Sequence, residues 1–377
     1  MKTLTTLLAD LVGLDSINPD LVPDGAGEAP IARYVSDWAG AQGLEAHWVE
    51  PVDGRPSVVV VARGSGGGRS LMLNGHLDTV GVAGMTDPFS ARIEHGQLFG
   101  RGAYDMKGGL AACLWVAAQA KQLSLRGDVI VACVADEEAA SLGMQAVLEH
   151  WHADAAIVTE PTGLDVCVAH KGFVWVEVKV QGRAAHGSRP DLGVDAIAKA
   201  GPVLMGVEAL DRHLRAGPGH PLLGTGSVHL SLIRGGQEMS SYPDSCFVGL
   251  ERRTVPGETP ESAEAEVEAL LNEARQRDPA FRASHRVTLV RSAFEVPPET
   301  EVVRLVRRYA GQITGAERRV YGETFWMDAA FLGAAGIPTV VFGAGGGGAH
   351  ATEEWADLTS VQQCADVLLA VAGEFCA

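Results

Sequence analysis

Apolar positions along the chain follow two periods, and the switches between them outline the fold. Leu4, Leu7, Leu8, Leu11 and Val12 recur at helical spacing with Asp10 interrupting the run, so an amphipathic first helix is expected here in place of a signal peptide. A second helix is expected over 29–42, followed by strands near 45–50 and 57–63 and a third, SLMLN, ending at Gly75. A hairpin near 90–99 leads through GRGAYDMKGG into a helix of small residues, LAACLWVAAQAKQL. The strand DVIVACVA, a short helix from Gly143 and the strand AAIVTE come next. Strands that alternate with helices and are apolar on both faces predict an α/β fold built on a mainly parallel sheet.

The pattern changes in the middle of the chain. From about 173 to 292 the order is a strand (VWVEVKV), a helix over 191–215, two strands (GSVHLSLI and SCFVGLERR), a helix over 260–276 and a strand (HRVTLV). This β-α-β-β-α-β order is ferredoxin-like. After SAFEVPPETE, helix–strand alternation returns and ends with TVVFGAG and a C-terminal helix from about 357. The reading is therefore an α/β domain made of 1–172 and 293–377, carrying an inserted ferredoxin-like α+β domain at 173–292.

Composition narrows the functional classes. With 46% apolar and 20% charged residues in 377, the chain can bury a sizeable core. Its net charge of −17 repels phosphate backbones and anionic lipid, which argues against nucleic acid and membrane as partners. No apolar run approaches the roughly 20 residues that span a bilayer. The six cysteines form no CxxC pair and lie in apolar runs such as VIVACVA, as buried free thiols of a cytoplasmic protein would.

Candidate chemistry sits where strands end. His76 and Asp78 close an apolar strand in LNGHLD, two apart and so on one face, although HxD alone suits a solvated loop better than a ligand. Asp105, among glycines at a helix entry, is either an N-cap or a carboxylate with one oxygen for each of two cations. Glu137 and Glu138 follow the strand DVIVACVA, and Glu160 ends AAIVTE; each taken alone also reads as a solvated acidic loop. His350 lies in GAGGGGAHATEEW, a loop without the Lys of a phosphate-binding GK[ST]. What combines these signals is position, because carboxyl ends of parallel strands are where α/β sheets build sites. Two histidines and three carboxylates suit two divalent ions of the zinc class, Zn2+ or Co2+, with a place left for a shared water.

Seven ordered segments, GHLDTV, GRGAYDMKGG, ADEEAASLG, VTEPT, AAHGSRP, ERRTVPGET and GIPTVVFG…AHATEE, resemble the M20 family of metallopeptidases and deacylases, the acetylornithine deacetylase and succinyl-diaminopimelate desuccinylase group. The resemblance runs along nearly the whole chain, the inserted domain included. It implies that His76, Asp105 and Glu160 hold one metal and Asp105, Glu138 and His350 the other. Glu137 would be the general base, Asp78 the partner that orients His76, and a cis peptide bond would follow Asp105. It further implies that 1–172 and 293–377 form the catalytic domain and 173–292 a lid and dimerisation domain, with a homodimer in which His186 of AAHGSRP reaches across to the partner's site to stabilise an oxyanion, and an Arg253 that clamps a substrate carboxylate. A solvated turn and a surface ion pair are the alternatives for these two.

The chain departs from the family at two places. Where members often show Asn in GGxxxNxxP, GGQEMSSYP has Ser240, a shorter donor for the substrate. Phe325 and Trp326 before Asp328 either shape a pocket or belong to the core. The expected reaction is hydrolysis of the amide of a small N-acyl amino acid of the acetylornithine type. A dipeptidase or carboxypeptidase acting on a short peptide is the alternative within the family. Carbamoyl hydrolases of the wider group carry His at the place of Glu160 and are disfavoured. So are a silent binding protein, since no ligand or base is missing, and a glycine-loop nucleotide enzyme.

Overall fold

The computed structural model describes residues 3–377. They form two compact units: residues 3–168 with Val296–Tyr321 and Met327–Ala377, and Ala169–Glu295 with Gly322–Trp326. The segment Gly322–Trp326 thus clusters with the middle unit, whereas the pattern of elements had assigned it to the outer one.

The first unit is mixed α/β around a sheet whose order is Glu45–Val49, Ser57–Ala62, Val129–Val134, Leu71–His76, Ala155–Val158, Thr339–Val341 and Val166–His170. The four strands from Val129–Val134 to Thr339–Val341 are mutually parallel, and antiparallel strands flank them on both sides. Strands 57–62, 71–76, 129–134 and 155–158 are buried throughout, as continuous apolar runs covered on both faces require. Helix Gly108–Ala120 packs on Leu71–His76 and against the C-terminal helix Leu358–Phe375. Its GGLAACLWVAAQA sequence is buried almost all round, and the small side chains permit that close approach. Because the central strands are parallel and in register, His76, the chain after Val134, the chain after Val158 and that after Val341 emerge at one rim.

The second unit contains a four-stranded antiparallel sheet in the order Ser227–Gly235, Ser245–Thr254, Gly172–Gln181, Arg282–Arg291. Val174, Val176, Val178 and Val180 alternate inward and meet helices Ala196–Ala216 and Pro260–Arg277 in one apolar cluster. The first of these helices starts at Ala196, five residues later than its periodicity indicates, because Asp195 caps it by accepting from Ala198 N–H. Strand Val166–His170, absent from the sequence reading, is the other main difference. All six cysteines are free and buried. Among the described residues no helix is long and apolar enough to cross a membrane.

Candidate active site

The rim of the parallel strands gathers the donors that the sequence singled out. His76 ends its strand with a ring only 1% exposed. Its Nδ1 lies 2.9 Å from the backbone carbonyl of Asp78. A carbonyl only accepts, so in a neutral ring the proton sits on Nδ1 and the Nε2 lone pair faces the site. Nε2 is 3.3 Å from Asp105 Oδ1 and 3.7 Å from Glu160 Oε1. On the other side, His350 Nε2 lies 3.5 Å from Asp105 Oδ2 and 3.2 Å from Glu138 Oε2. Asp105 therefore stands between the two imidazoles with one oxygen toward each. Ligand atoms of His76, Asp105 and Glu138 lie within 4.8 Å of one another, and so do those of His76, Glu137 and Glu160. The peptide bond after Asp105 is cis.

The Asp78 carboxylate has partners besides the imidazole. It is 3.8 Å from His76 Nδ1, while its two oxygens accept from the backbone N–H groups of Glu137 and Glu138 at 3.1 and 3.2 Å. It thus anchors the turn that presents both glutamates. Behind it lies a buried network that sequence reasoning missed. Asn18 donates to Asp78 Oδ2 at 2.8 Å and to Asp136 Oδ1 at 2.9 Å. Arg55, only 6% exposed, donates to both oxygens of Glu28 at 2.7 and 2.8 Å, to Asp136 at 2.7 Å and to Asn18 Oδ1 at 3.1 Å. Asp136 itself takes a left-handed backbone conformation (φ 68°), so the turn needs this support. The one available signal was Asp136 directly ahead of the glutamate pair; Asn18 and Arg55 lie in SINP and DGRPS, which read as ordinary loops.

Electrostatically the cluster holds more negative than positive charge. Burial, reinforced by the neighbouring Glu160, pushes Glu137 well above the usual carboxylate range, and burial with Asp105 does the same to Glu160. Burial raises Glu138 against the hydrogen bond from His350. Burial opposes ionisation of Asp105 too, but the hydrogen bonds from His350 and His76 win and hold it below its ordinary value. Hydrogen bonds to Asp105 and Glu138 push His350 up to about 10. His76 is raised although burial works against it, because the Asp105 hydrogen bond and the Glu160 charge outweigh desolvation. Glu138 Oε1 is buried and has no hydrogen-bond partner. Four crowded carboxylates, two imidazoles presenting Nε2 and an orphaned oxygen make a donor set that fits two divalent cations of the zinc class.

The remaining residues singled out from sequence lie in the second unit. His186, exposed, has its Nδ1 2.8 Å from Ser188 Oγ. Exposed Ser240 donates to Glu238 at 3.3 Å, and its carbonyl accepts from Gly187 N–H at 2.6 Å, so these two residues share one corner. In ERRTVP, strand alternation turns Arg252 inward onto Glu258 and Glu266 and leaves Arg253 half-buried, bonded to Glu251 at 2.6 Å and stacked over Phe173. Trp326 is 9% exposed and donates to Ser292 O, which makes it core, while Phe325 is exposed. The glycine run is no loose loop: Gly346 and Gly347 pair with Ala356 and Trp355.

A parallel-sheet rim with this donor set defines a metal-dependent hydrolase of the peptidase and amidohydrolase class. The chain belongs to peptidase family M20/M25/M40, whose profile matches residues 72–374. It is 31% identical over 392 residues to an acetylornithine deacetylase of Myxococcus xanthus, covering 100% of this chain and 98% of that protein. It is 29% identical over 394 residues to an N-formyl-4-amino-5-aminomethyl-2-methylpyrimidine deformylase of Halalkalibacterium halodurans, covering 95% and 92%. Among solved structures it resembles an M20 family metallo-carboxypeptidase from Sulfolobus solfataricus with TM-score 0.80 at 19% identity, covering 100% and 99% of the two chains.

Proposed function

We propose that the protein is a di-zinc amidohydrolase that cleaves the amide bond of an N-acyl amino acid, in the manner of an acetylornithine deacetylase. The observation that carries this is Asp105 standing between His76 and His350 with one oxygen toward each. In this reading His76, Asp105 and Glu160 hold one ion and Asp105, Glu138 and His350 the other. Two such ions supply Lewis-acid polarisation of the scissile carbonyl and lower the pKa of water at the site.

The chain's own residues do the rest. Glu137, whose carboxylate lies beside His76 and Glu160, takes the proton of the attacking water and passes it to the leaving amine. Asp78 fixes the turn that aims Glu137 and Glu138 by accepting from their amides. Arg253 would receive the substrate carboxylate as a bidentate partner, Ser240 would donate to substrate, and His186 would steady the oxyanion from the partner subunit of a homodimer. Six buried thiols suit a cytoplasmic setting. The 31% identity to an acetylornithine deacetylase across the full chain supports an N-acyl amino acid over a peptide.

The test is a hydrolysis screen of the zinc-loaded protein on N-acetyl, N-succinyl and N-formyl amino acids and on dipeptides. Product amine is the readout and a chelated sample the control. Release from the N-acyl compounds is expected, and release from dipeptides alone would replace this reading with a dipeptidase. Glu137→Gln should reduce turnover by about 100-fold or more while leaving zinc content intact; near-normal rates would remove Glu137 as the base.

A further inference from the structure

The loop that carries Asp105 and the loop that carries His350 are joined by a side chain to which no role has been given. Glu354 is 1% exposed, yet its carboxylate accepts four hydrogen bonds. Oε1 takes the backbone N–H groups of Tyr104 and Asp105, each at 3.0 Å. Oε2 takes Gly102 N–H at 3.0 Å and Arg101 Nη1 at 2.6 Å. Arg101, 2% exposed, spreads the connection with Nη2 on Ala351 O at 2.9 Å and Nε on Gly81 O at 3.0 Å. The backbone of Glu354 closes the circuit by accepting from Gly100 N–H at 3.0 Å.

Both loops adopt backbone conformations in which a side chain would clash or be strained. Gly102 sits at φ 80°, and a Cβ there would fall 2.7 Å from Thr79 Cγ2. Gly348 sits at φ 82°, and a Cβ there would fall 1.9 Å from Glu353 O. Such turns belong to glycine. His350, four residues before Glu354, is itself held in the left-handed region at φ 59°. A buried ion pair is a poor way to stabilise a fold, since well-packed apolar residues often do as well. Its use here needs another reason, and the elements it joins supply one.

We propose that Glu354, with Arg101, is a positioning residue that sets the spacing between Asp105 and His350 and so prepares the side of the site formed by Asp105, His350 and Glu138 before any ion arrives. The inference rests on the metal reading given above. It has a distinctive chemical consequence. All four partners of the carboxylate are donors, so a glutamine at 354 must turn its own NH2 toward two of them. Glu354→Gln should therefore be as damaging as Glu354→Ala, although it is nearly isosteric.

The experiment uses Zn2+ alone, competed against a chelating dye, on wild type, E354Q, E354A and R101K, alongside urea unfolding of each metal-free protein. Affinity for the weaker of two Zn2+ ions is expected to fall about 10–100-fold in E354Q and E354A alike, the scale of losing a partner that orients a ligand. R101K is expected to show a smaller fall in the same direction. If E354Q binds both ions as wild type does while its metal-free unfolding midpoint drops, Glu354 is structural only and the proposal fails. Should the variants not fold, amide exchange of the metal-free wild type decides. Protection of Gly102, Tyr104 and Asp105 supports a clamp formed before the metal, and exchange at open-loop rates overturns it. A wild type that binds no Zn2+ despite protected amides would instead overturn the metal reading itself, and the positioning role with it.

Discussion

The two imidazoles of the cluster face the same carboxylate from opposite kinds of structure. His76 ends a fully buried strand, is 1% exposed, and has its Nδ1 on a carbonyl two residues away. His350 belongs to a loop, its side chain is 56% exposed, and its backbone is left-handed. Next to the first, a buried network of Asn18, Arg55, Asp136 and Glu28 anchors Asp78 and the turn of Glu137 and Glu138; the loop of the second is tied down by Arg101 and Glu354. One half of the site is a property of the sheet and the other is assembled by loops tied to it. Stability and metal binding should therefore separate along this line, His76 affecting both and His350 affecting metal far more than stability.

The largest effect expected is on the buried network that holds the turn of Glu137 and Glu138. Arg55→Met leaves Glu28 and Asp136 buried without their cation, a loss of about 3–5 kcal/mol in urea unfolding of the metal-free protein. Asn18 would lose one of its anchors, so the turn of Glu137 and Glu138 should loosen and turnover fall in whatever protein remains folded. An unfolding curve like that of wild type would mean that the network is incidental. Chelation of the zinc-loaded protein comes next. At a zinc concentration about 100 times its dissociation constant, removal should lower stability by about 2.7 kcal/mol. Differential scanning calorimetry with and without chelator measures this, and an unchanged midpoint would contradict binding of metal to the folded state.

The same division explains what could be read from the sequence. His76, Glu138 and Glu160 were legible because each follows an apolar strand, and a polar residue at the end of a buried strand has few bland explanations once several share a rim. Asp105 and His350 gained weight only beside them. Arg55 and Glu354 were not legible at all. In DGRPS and ATEEW they look like charges of solvated loops, and their burial arises from contacts 81 and 253 residues away in sequence. Local periodicity carries no information about a partner at that distance. The glycine run was equally silent: nothing in its composition announces that Gly346 and Gly347 pair with Ala356 and Trp355. The helix expected from 191 begins at Ala196 because a side-chain cap, not apolar spacing, decides where it starts.

His76→Ala tests the buried imidazole directly. The substitution leaves the Asp78 carbonyl without its donor and removes the nearest cationic group from Asp105 and Glu160. A loss of about 1–3 kcal/mol is expected in the metal-free protein, the range for orphaning a buried polar group. Zinc binding should fall as well. A variant that lost zinc with its metal-free stability intact would show that the strand end tolerates the gap and would erase the contrast with His350.

His350→Ala should give the smallest stability change. Its side chain is more than half exposed, so removing it from the metal-free protein should cost no more than about 1 kcal/mol, the loss of a solvent-screened ion pair with Asp105 and Glu138. The loop has its own fastening in Arg101, Glu354 and the pairing of Gly346 with Ala356, none of which passes through the imidazole. Zinc affinity on the Glu138 side should nevertheless fall by more than the roughly 100-fold upper end seen for outer partners of a ligand, because a direct donor is lost. Unfolding of the metal-free variant and dye-competition titration with Zn2+ measure the two quantities on one preparation. A stability loss as large as that of His76→Ala would show that His350 helps hold its own loop, and the line drawn between sheet-built and loop-built halves would disappear.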